Sequence, residues 1–478
     1  MEPSIPGLLL VLALLALGRR LGAAVVIGLF MSLPFGSTAL GTLSALGGSS
    51  PLIYVAFVLL LLVCVALSRG VADRLAYVLS CHGTAWVVVA LIVCAVAGAV
   101  LFPRLFLGQT TVLVSTPEGV KELPLAPTSA NITQTGYFVL AALTYFAFAV
   151  SLVEKGQRDA VRRGFLAWAV IHASLGAIDL AGKLMGAGDL LEPVRTATYA
   201  YLVEVEEAGF WRIAGGFSEA SAFGGATLSC LAFSFAYWRT SRSRSVLLLT
   251  LVLLALLLLS TSSTAYAGFA IVACVAAAWM ALSALRGRFS RQDLLVLAFV
   301  WMAIIVVLSL YLLDEHLFDP LVRLFEAMVL NKSASGSAEE RLYWNVQSLQ
   351  AFLDTFGLGV GLGSSRASSW PVAVVSQLGI AGALLMAVLV GVLLRDLVSP
   401  VPQAVDRQAL ALVSGARAAA LASLAAASAS GGFADPGLVF FIALAVVGAC
   451  RKGELAALPR RRPVFAAMHT TIARTNIG

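Results

Sequence analysis

Hydrophobic runs long enough to cross a lipid bilayer recur along the whole sequence. A window of about 19 residues, the helix length that spans the hydrocarbon core, gives about thirteen candidate spans. They lie near residues 5–18, 21–38, 51–68, 84–103, 137–153, 165–182, 221–238, 245–261, 264–285, 294–313, 372–394, 409–429 and 437–450. Only 12% of the 478 residues are charged, against about 25% in soluble domains. The sequence therefore predicts an all-α fold, a polytopic bundle of transmembrane helices.

The loops between the spans predict the orientation of this bundle. When the loop that begins at Arg19 is taken as cytoplasmic, 22 of the 32 lysines and arginines lie in cytoplasmic segments and 9 lie outside. Cytoplasmic loops of membrane proteins are enriched in these residues. The formal charge of +7 therefore indicates membrane orientation, and no nucleic-acid partner is expected.

The spans and loops divide the chain into four parts. Transmembrane helices 1 to 10 occupy residues 1–313, and this part includes two outer loops at 104–136 and 183–220. Residues 314–371 form a large, partly helical periplasmic loop. The remaining parts are transmembrane helices 11 to 13 at residues 372–450 and a basic cytoplasmic tail at residues 451–478, which is expected to contact membrane lipids.

Two short helices are predicted within the large loop, over residues 317–329 and 338–356. In the second of these, four apolar residues recur at helical spacing on one face: Leu342, Val346, Leu349 and Leu353. This pattern is typical of a helix that lies along the membrane or packs against the bundle.

Three arginines in the outer loops have the surroundings expected of an anion site. Arg341 and Arg366 lie on either side of a glycine-rich run at residues 359–363, and Arg212 begins a run of small residues that enters the next span. Arginine binds phosphate through two parallel hydrogen bonds and keeps its charge at any ordinary pH. Two alternatives are open: interfacial arginines that contact lipid headgroups, and a structural ion pair of Arg212 with Glu219.

Several other polar residues are open to both a functional and a structural interpretation. The hydroxyl-rich turn at residues 260–264 could bind sugar or phosphate, or it could cap helix ends. His316 could act as a base or be a solvated loop histidine. Asp179 and Lys183, four residues apart on one helix, are predicted to pair with each other. His172 in the same helix keeps a proton-coupled transporter as an alternative function.

Three stretches resemble the O-antigen ligase and O-antigen polymerase superfamily, the Wzy-type polytopic glycosyltransferases of bacteria. The likeness lies in residues 212–225, 259–264 and 340–382. The resemblance implies a metal-independent enzyme without a cofactor, located in the bacterial inner membrane with its active site facing the periplasm. It also implies undecaprenyl-pyrophosphate-linked glycans as donor and acceptor. A chain-length regulator and a flippase are implied as further partners.

Within this superfamily the sequence is more similar to the polymerase branch. The ligase branch has a His-Asn or similar pair shortly ahead of a glycine that opens the next span, and the histidine is proposed to activate the acceptor. If Gly379 is that glycine, the pair corresponds to Ser368 and Ser369, so the histidine is absent. A polymerase would transfer one lipid-linked repeat unit onto the chain carried by another.

The resemblance, together with the arginine pattern, gives a set of expected site residues. The expected pyrophosphate-binding residues are Arg212, Arg341, Arg366, Ser365 and Ser368. The expected general base is Glu219, because it lies close to Arg212, and the alternatives are Glu340 and His316.

Two other functions remain alternatives to polymerisation of O-antigen or exopolysaccharide. One is a ligase that transfers a glycan to a lipid or protein acceptor. The other is a transporter or flippase of lipid-linked glycans. Many transporters contain an internal repeat with broken helices in both halves. No such repeat is evident in this sequence, and the long loops are all predicted on one face, so an enzyme is favoured.

Overall fold

The computed structural model describes residues 2–42, 49–116, 119–198, 201–203, 206–207, 209–285, 291–313, 336–398 and 406–451, with single residues at 287, 319, 323 and 326. The helices in these ranges are α1 (Ile5–Arg20), α2 (Ala24–Ser32), α3 (Ile53–Ala66), α4 (Val71–Cys81), α5 (Gly83–Leu105), α6 (Ser129–Ser151), α7 (Lys155–Leu184), α8 (Ala220–Ser241), α9 (Arg244–Leu259), α10 (Ser263–Leu285), α11 (Arg291–Leu313), α12 (Gly336–Asp354), α13 (Trp370–Val398), α14 (Arg407–Ser430) and α15 (Leu438–Arg451).

The strands in the described ranges form three antiparallel pairs. The longest pair is a hairpin of β3 (Thr111–Thr116) and β4 (Gly119–Pro124), in which Thr111 lies opposite Pro124. The two short pairs are β1 (Glu2–Pro3) with β2 (Gly41–Thr42), and β5 (Glu206–Glu207) with β6 (Phe210–Trp211). The strands are confined to loops, so the helices alone build the body of the protein.

The prediction of an all-α, polytopic membrane protein is confirmed at the level of the fold class. Among the described residues, eight helices are long and apolar enough to cross a membrane. Each of the thirteen predicted spans overlaps a helix, but several of these helices are short. For example, α1 has 16 residues, which corresponds to a length of about 24 Å against a hydrocarbon core of about 30 Å.

Helix α4 has no counterpart among the predicted spans. It follows α3 after a short break and is turned by 102° from it. Its sequence includes Asp73 and Arg74, and Val78 is its buried residue. These charges keep the segment below the hydrophobicity of a span, and its composition fits a helix that lies across the end of the bundle.

The centre of the bundle is the contact between α8 and α14, which is made largely by small residues. The buried positions of α14 include Ala411, Ala416, Ala419 and Ala420. A Cβ atom added at Gly415 would lie 2.8 Å from the ring of Phe233 in α8. Small residues let helix backbones approach closely, which is how helices gain packing contacts within a bilayer.

The described parts of the first and third long loops meet at one end of the bundle, and Glu219 of the second loop lies there within electrostatic range of Arg366. Thr110, after α5, donates a hydrogen bond to Asp354 at the end of α12 (2.7 Å). The Asn131 amide donates to the carbonyl oxygen of Leu362 (2.8 Å). We call the end formed by the described residues of 104–136, 183–220, 336–369 and 431–437 the loop face.

Helix α12 confirms the second helix predicted in the large loop, with bounds of Gly336–Asp354 instead of 338–356. All but three single residues of the helix predicted over residues 317–329 fall outside the described ranges. The apolar face predicted for α12 is not buried in the bundle, because Leu342, Val346 and Leu353 are all more than half exposed. Helix α12 contacts α13 and the β3 strand, so it lies over the loop face.

Candidate functional site

The glycine-rich run is a tightly packed strap that leads into Arg366. Gly357, Gly359, Gly361 and Gly363 all have φ between 77° and 86°, a conformation that side chains disfavour. A Cβ atom at Gly363 would lie 2.4 Å from the carbonyl oxygen of Ala130. The alternating glycines thus allow the backbone to pass between α5, α6 and α13, and they do not form an open loop around a ligand.

Arg366 leaves this strap at the loop face, where its side chain is half-buried. Its backbone N–H donates to the carbonyl oxygen of Leu113 in β3 (2.8 Å), and its Nη1 donates to Ser115 Oγ (3.3 Å). The guanidinium carbon lies 5.3 Å from the centre of the Trp344 ring in α12, within the range of a cation–π contact. Three elements therefore position one guanidinium group.

Arg366 lies in the electrostatic field of three other residues that the sequence singles out. Burial lowers the pKa of Arg366, Glu219 and Glu340 raise it, and Arg341 lowers it. The pKa of an arginine is so high that the group remains a cation. Three of the predicted site residues, Glu219, Glu340 and Arg341, are thus close enough to influence Arg366 although they come from different loops.

Glu219 immediately precedes α8 and joins the arginine cluster to the bundle. Its carboxylate accepts a hydrogen bond from the Ser221 hydroxyl. Arg212, on the preceding loop, lies within electrostatic range of Tyr266 in α10, and its carbonyl oxygen accepts a hydrogen bond from Lys183 Nζ (2.6 Å). Arg212 is therefore at the loop face, positioned beside α10.

The two predicted serines are buried and support the strap. Ser365 is 2% exposed, and its hydroxyl accepts a hydrogen bond from the backbone N–H of Leu113 (3.4 Å). Ser368 is 6% exposed, and its backbone N–H donates to the Asn345 side chain (2.9 Å). Both positions stabilise the loop that presents Arg366.

A cavity of about 430 Å³ lies beside this arginine cluster. The walls come from α3, α6, α7, α8, α10 and α14, and they include the aromatic side chains Tyr54, Tyr137, Trp168 and Phe217. Ser221, which contacts Glu219, is also part of the wall. The cavity and the arginine cluster are therefore adjacent parts of one site.

Asp435 contributes the carboxylate in the lining of this cavity, and it is absent from the predicted set. It lies in the loop between α14 and α15, where its Oδ1 accepts a hydrogen bond from the backbone N–H of Gly437 (2.8 Å). Burial raises the pKa of Asp435 to about 6, and the Gly437 N–H opposes this rise. The sequence gives only a weak signal for it, a single acid in the short loop between two apolar runs.

Gln377 connects the loop of Asp435 to the loop of Arg366. Its fully buried amide group donates to the carbonyl oxygens of Ser365 (2.8 Å) and Gly432 (3.2 Å). Its Oε1 accepts a hydrogen bond from the backbone N–H of Ala434 (3.4 Å). One side chain of α13 thus fixes the position of the Asp435 loop relative to the Arg366 loop.

The predicted pair of Asp179 and Lys183 is confirmed, with 2.9 Å between Lys183 Nζ and Asp179 Oδ2. The turn at 260–264 uses two of its hydroxyls locally: Ser260 donates to Leu257, and Ser262 accepts from the Ala265 N–H at the start of α10. These bonds agree with the capping alternative for this turn.

Of the two histidines named from the sequence, one is placed by the structure. His172 Nε2 is hydrogen-bonded to Thr227 in α8 (2.7 Å), and its ring stacks on Phe223. His316, the third candidate base, lies outside the described residues. Within the described ranges, no group of three or more His, Cys, Asp or Glu side chains is arranged to hold a metal ion.

No protein-family model matches the chain, and no curated protein sequence matches it. The fold defines a multi-pass, α-helical membrane protein with a charged site beside an apolar cavity at its loop face.

Proposed function

We propose that this protein is a metal-independent glycosyltransferase that polymerises undecaprenyl-pyrophosphate-linked oligosaccharide repeats into O-antigen or exopolysaccharide. In this proposal the protein lies in the bacterial inner membrane, and its loop face is periplasmic. The observation that carries the proposal is the cluster of Arg366 and Arg341 beside an apolar cavity in the bundle. A glycan carried on a pyrophosphate has the matching chemistry, since its anion suits the arginines and its sugars suit the aromatic and hydroxyl-bearing wall of the cavity.

The paired guanidiniums of Arg366 and Arg341 suit an anionic ligand, and Glu219 and Glu340 offset part of their positive charge. Arg341 disfavours the charge of Arg366, and the surrounding protein removes water that would otherwise solvate it. A pyrophosphate group between the two guanidiniums would relieve this repulsion and accept bidentate hydrogen bonds. Its negative charge grows as the glycosidic bond breaks, so fixed cations lower the energy of the transition state.

The test is incubation of the purified protein, in nanodiscs, with an extracted undecaprenyl-pyrophosphate-linked repeat in the presence of EDTA. We expect a ladder of polymers on a gel. Arg366→Ala should reduce the rate of elongation by about 100-fold, because removing one fixed donor from a developing oxyanion typically has an effect of this size. Arg104→Ala is the matched control, since Arg104 is exposed near the same end of the bundle.

Different outcomes would redirect the proposal. Elongation that survives in Arg366→Ala would remove this arginine from the site. Failure of the unchanged protein to elongate the repeat would contradict a polymerase; transfer to an added lipid or protein acceptor would then identify a ligase, and movement of the intact repeat across a vesicle membrane would identify a flippase. A chain-length regulator is the expected partner of a polymerase, and its addition should change the length of the ladder.

A further inference from the structure

The cavity lining brings one carboxylate to an otherwise apolar and hydroxyl-bearing wall. Among the lining side chains, Asp435 is the acidic one, and the other titratable side chains are Tyr54 and Tyr137. A volume of about 430 Å³ is enough for a small ligand. Hydroxyl groups of Ser221 and Ser430 line the same space. A neutral, hydroxyl-rich ligand such as a sugar residue matches this lining.

The position of Asp435 is determined by contacts on both sides of it. The Ala434 carbonyl oxygen accepts a hydrogen bond from the Trp370 indole N–H (3.1 Å), and the Ala434 N–H donates to Gln377 (3.4 Å). On the other side, the Gly437 N–H donates to Asp435 Oδ1. Within the described part of the chain, Oδ2 has no hydrogen-bond partner, so it is available to a ligand in the cavity.

The loop of Asp435 also touches the arginine cluster. A Cβ atom added at Gly432, three residues before Asp435, would lie 3.2 Å from Cγ of Arg366. The Asp435 carboxylate and the Arg366 guanidinium therefore lie on two neighbouring loops. These two groups could hold the two reacting groups. Proximity of this kind is what a transfer between two bound substrates requires.

We propose that Asp435 is the general base that accepts the proton of the acceptor sugar hydroxyl. This inference rests on the proposed glycosyl transfer. The acceptor O–H bond breaks and its proton passes to Asp435 Oδ2, while the acceptor oxygen forms a bond to the anomeric carbon of the donor. The bond from that carbon to the phosphate oxygen breaks, and its electron pair leaves with undecaprenyl pyrophosphate, next to Arg366. Asp435 then releases the proton to water.

The chemistry of the alternatives favours Asp435 over Glu219. Glu219 already accepts a hydrogen bond from Ser221 and lies in the field of Arg366, so its carboxylate has partners within the protein. Asp435 lies in an apolar environment and titrates closer to neutral pH. A base whose pKa is near the working pH is ionised and still accepts a proton readily.

The test compares kcat and KM of the purified protein with those of Asp435→Asn, using the extracted lipid-linked repeat as substrate. Asparagine keeps an acceptor for the Gly437 N–H, so the loop should keep its shape. We expect kcat to fall by about 100-fold or more while KM changes little, because general bases contribute about 10²- to 10⁴-fold. Asp354→Asn is the control: Asp354 is a loop-face carboxylate that bonds Thr110 and Gln350 outside the cavity, and its kcat should stay unchanged.

A pH profile of the unchanged protein tests the same inference, and its result does not depend on whether a variant folds. We expect kcat to fall as the pH is lowered through about 6, because Asp435 then becomes protonated. The cavity tyrosines are phenols, which ordinarily titrate far above this range. Among the described residues, the charged groups that approach the cavity are Glu219 and Arg366. His172 in α7 is a further titratable group, with its ring 5.9 Å from that of Phe217 in the cavity wall, so the profile is repeated with His172→Gln, in which the acidic limb should remain. Asp435→Glu should retain activity with a displaced acidic limb.

Failure of this inference can be separated from failure of the proposed function. If the unchanged protein elongates the repeat and Asp435→Asn does so within about threefold of it, Asp435 is not the base. The same conclusion follows if Glu219→Gln abolishes the acidic limb of the profile while Asp435→Asn retains it. If the unchanged protein elongates nothing, both the polymerase and its base are overturned together.

Discussion

Asp179 shows how a single buried carboxylate can position a whole loop. Its two oxygens accept hydrogen bonds from Lys183 (2.9 Å), Arg195 (3.3 Å) and the backbone N–H groups of Ala214 (2.8 Å) and Gly215 (3.1 Å). Its side chain is almost fully buried. The loop that follows Arg212 toward Glu219 is therefore attached to α7 through one residue, and this geometry depends on the charge of Asp179.

We expect Asp179→Asn to destabilise the protein by about 3–5 kcal/mol, because it leaves the buried Lys183 without its carboxylate, while Arg195 keeps its ion pair with Asp189. The measurement is the midpoint of thermal or denaturant unfolding in detergent. Asp159→Asn is a matched control on the same helix: Asp159 pairs with Arg162 at 3.2 Å, and its side chain is 54% exposed. An exposed pair of this kind contributes about 0–1 kcal/mol. Equal shifts for the two variants would contradict the positioning role of Asp179.

At the scale of the elements, the glycine strap between α12 and α13 makes a second prediction. In the Gly363→Ala variant, the new Cβ atom would lie 2.4 Å from a backbone oxygen of α6. The alanine would also have to adopt a φ of 83°. Replacement of glycine at such a position destabilises through strain. We expect a loss of about 1–3 kcal/mol, together with reduced elongation, because Arg366 follows the strap by three residues.

The control for this variant is Gly391→Ala, in the interior of α13. Nothing lies within 4 Å of a Cβ atom added there, and alanine is the better helix former by about 1 kcal/mol. Gly391→Ala should therefore be neutral or stabilising in the same unfolding measurement. If Gly363→Ala were equally well tolerated, the close packing of the strap against α6 would be wrong.

Much of the helical content can be predicted from the sequence because long apolar runs have few folded alternatives in a bilayer. Helix bounds are less predictable. Helix α6 begins at Ser129, eight residues before the predicted span, because Thr128 and Asn131 form a capping box ahead of the apolar run. The buried Asn131 amide also donates hydrogen bonds to Leu362 and Ser364 of the strap, a contact that no local pattern indicates.

Some residues of the site can be identified from local sequence patterns, and others depend on long-range packing. Arg366, Arg341, Glu219 and Glu340 can be selected from the sequence because charged residues are rare in this chain and these lie in long loops. Asp435 escapes selection because one acid in a short loop has no pattern, and its role depends on which helices surround it. The use of the glycine run for packing likewise depends on a contact with α6 that no local pattern contains.

At the scale of the whole molecule, charge is divided between the two ends of the bundle. The end opposite the loop face carries basic residues that the sequence assigns to the cytoplasm. Arg74 pairs there with Glu154 (2.9 Å), and Arg407 donates to the Thr240 carbonyl oxygen (2.9 Å). The site cluster is at the other end. Since positive charge is retained on the cytoplasmic side, this division predicts that the loop face is exposed outside the cell membrane.

Single cysteines at the two ends test this orientation. In a variant whose six native cysteines are replaced, we expect Gln350→Cys to react with a membrane-impermeant maleimide in spheroplasts. Gln350 is exposed on α12 at the loop face, and Asp159 is exposed at the opposite end of α7. Asp159→Cys should therefore react only after the membrane is permeabilised. The reverse pattern would put Arg366 and the cavity on the cytoplasmic side, where lipid-linked repeats are assembled and not polymerised in the proposed function. That outcome would exclude a periplasmic polymerase, whatever the effect of Arg366→Ala on elongation in nanodiscs.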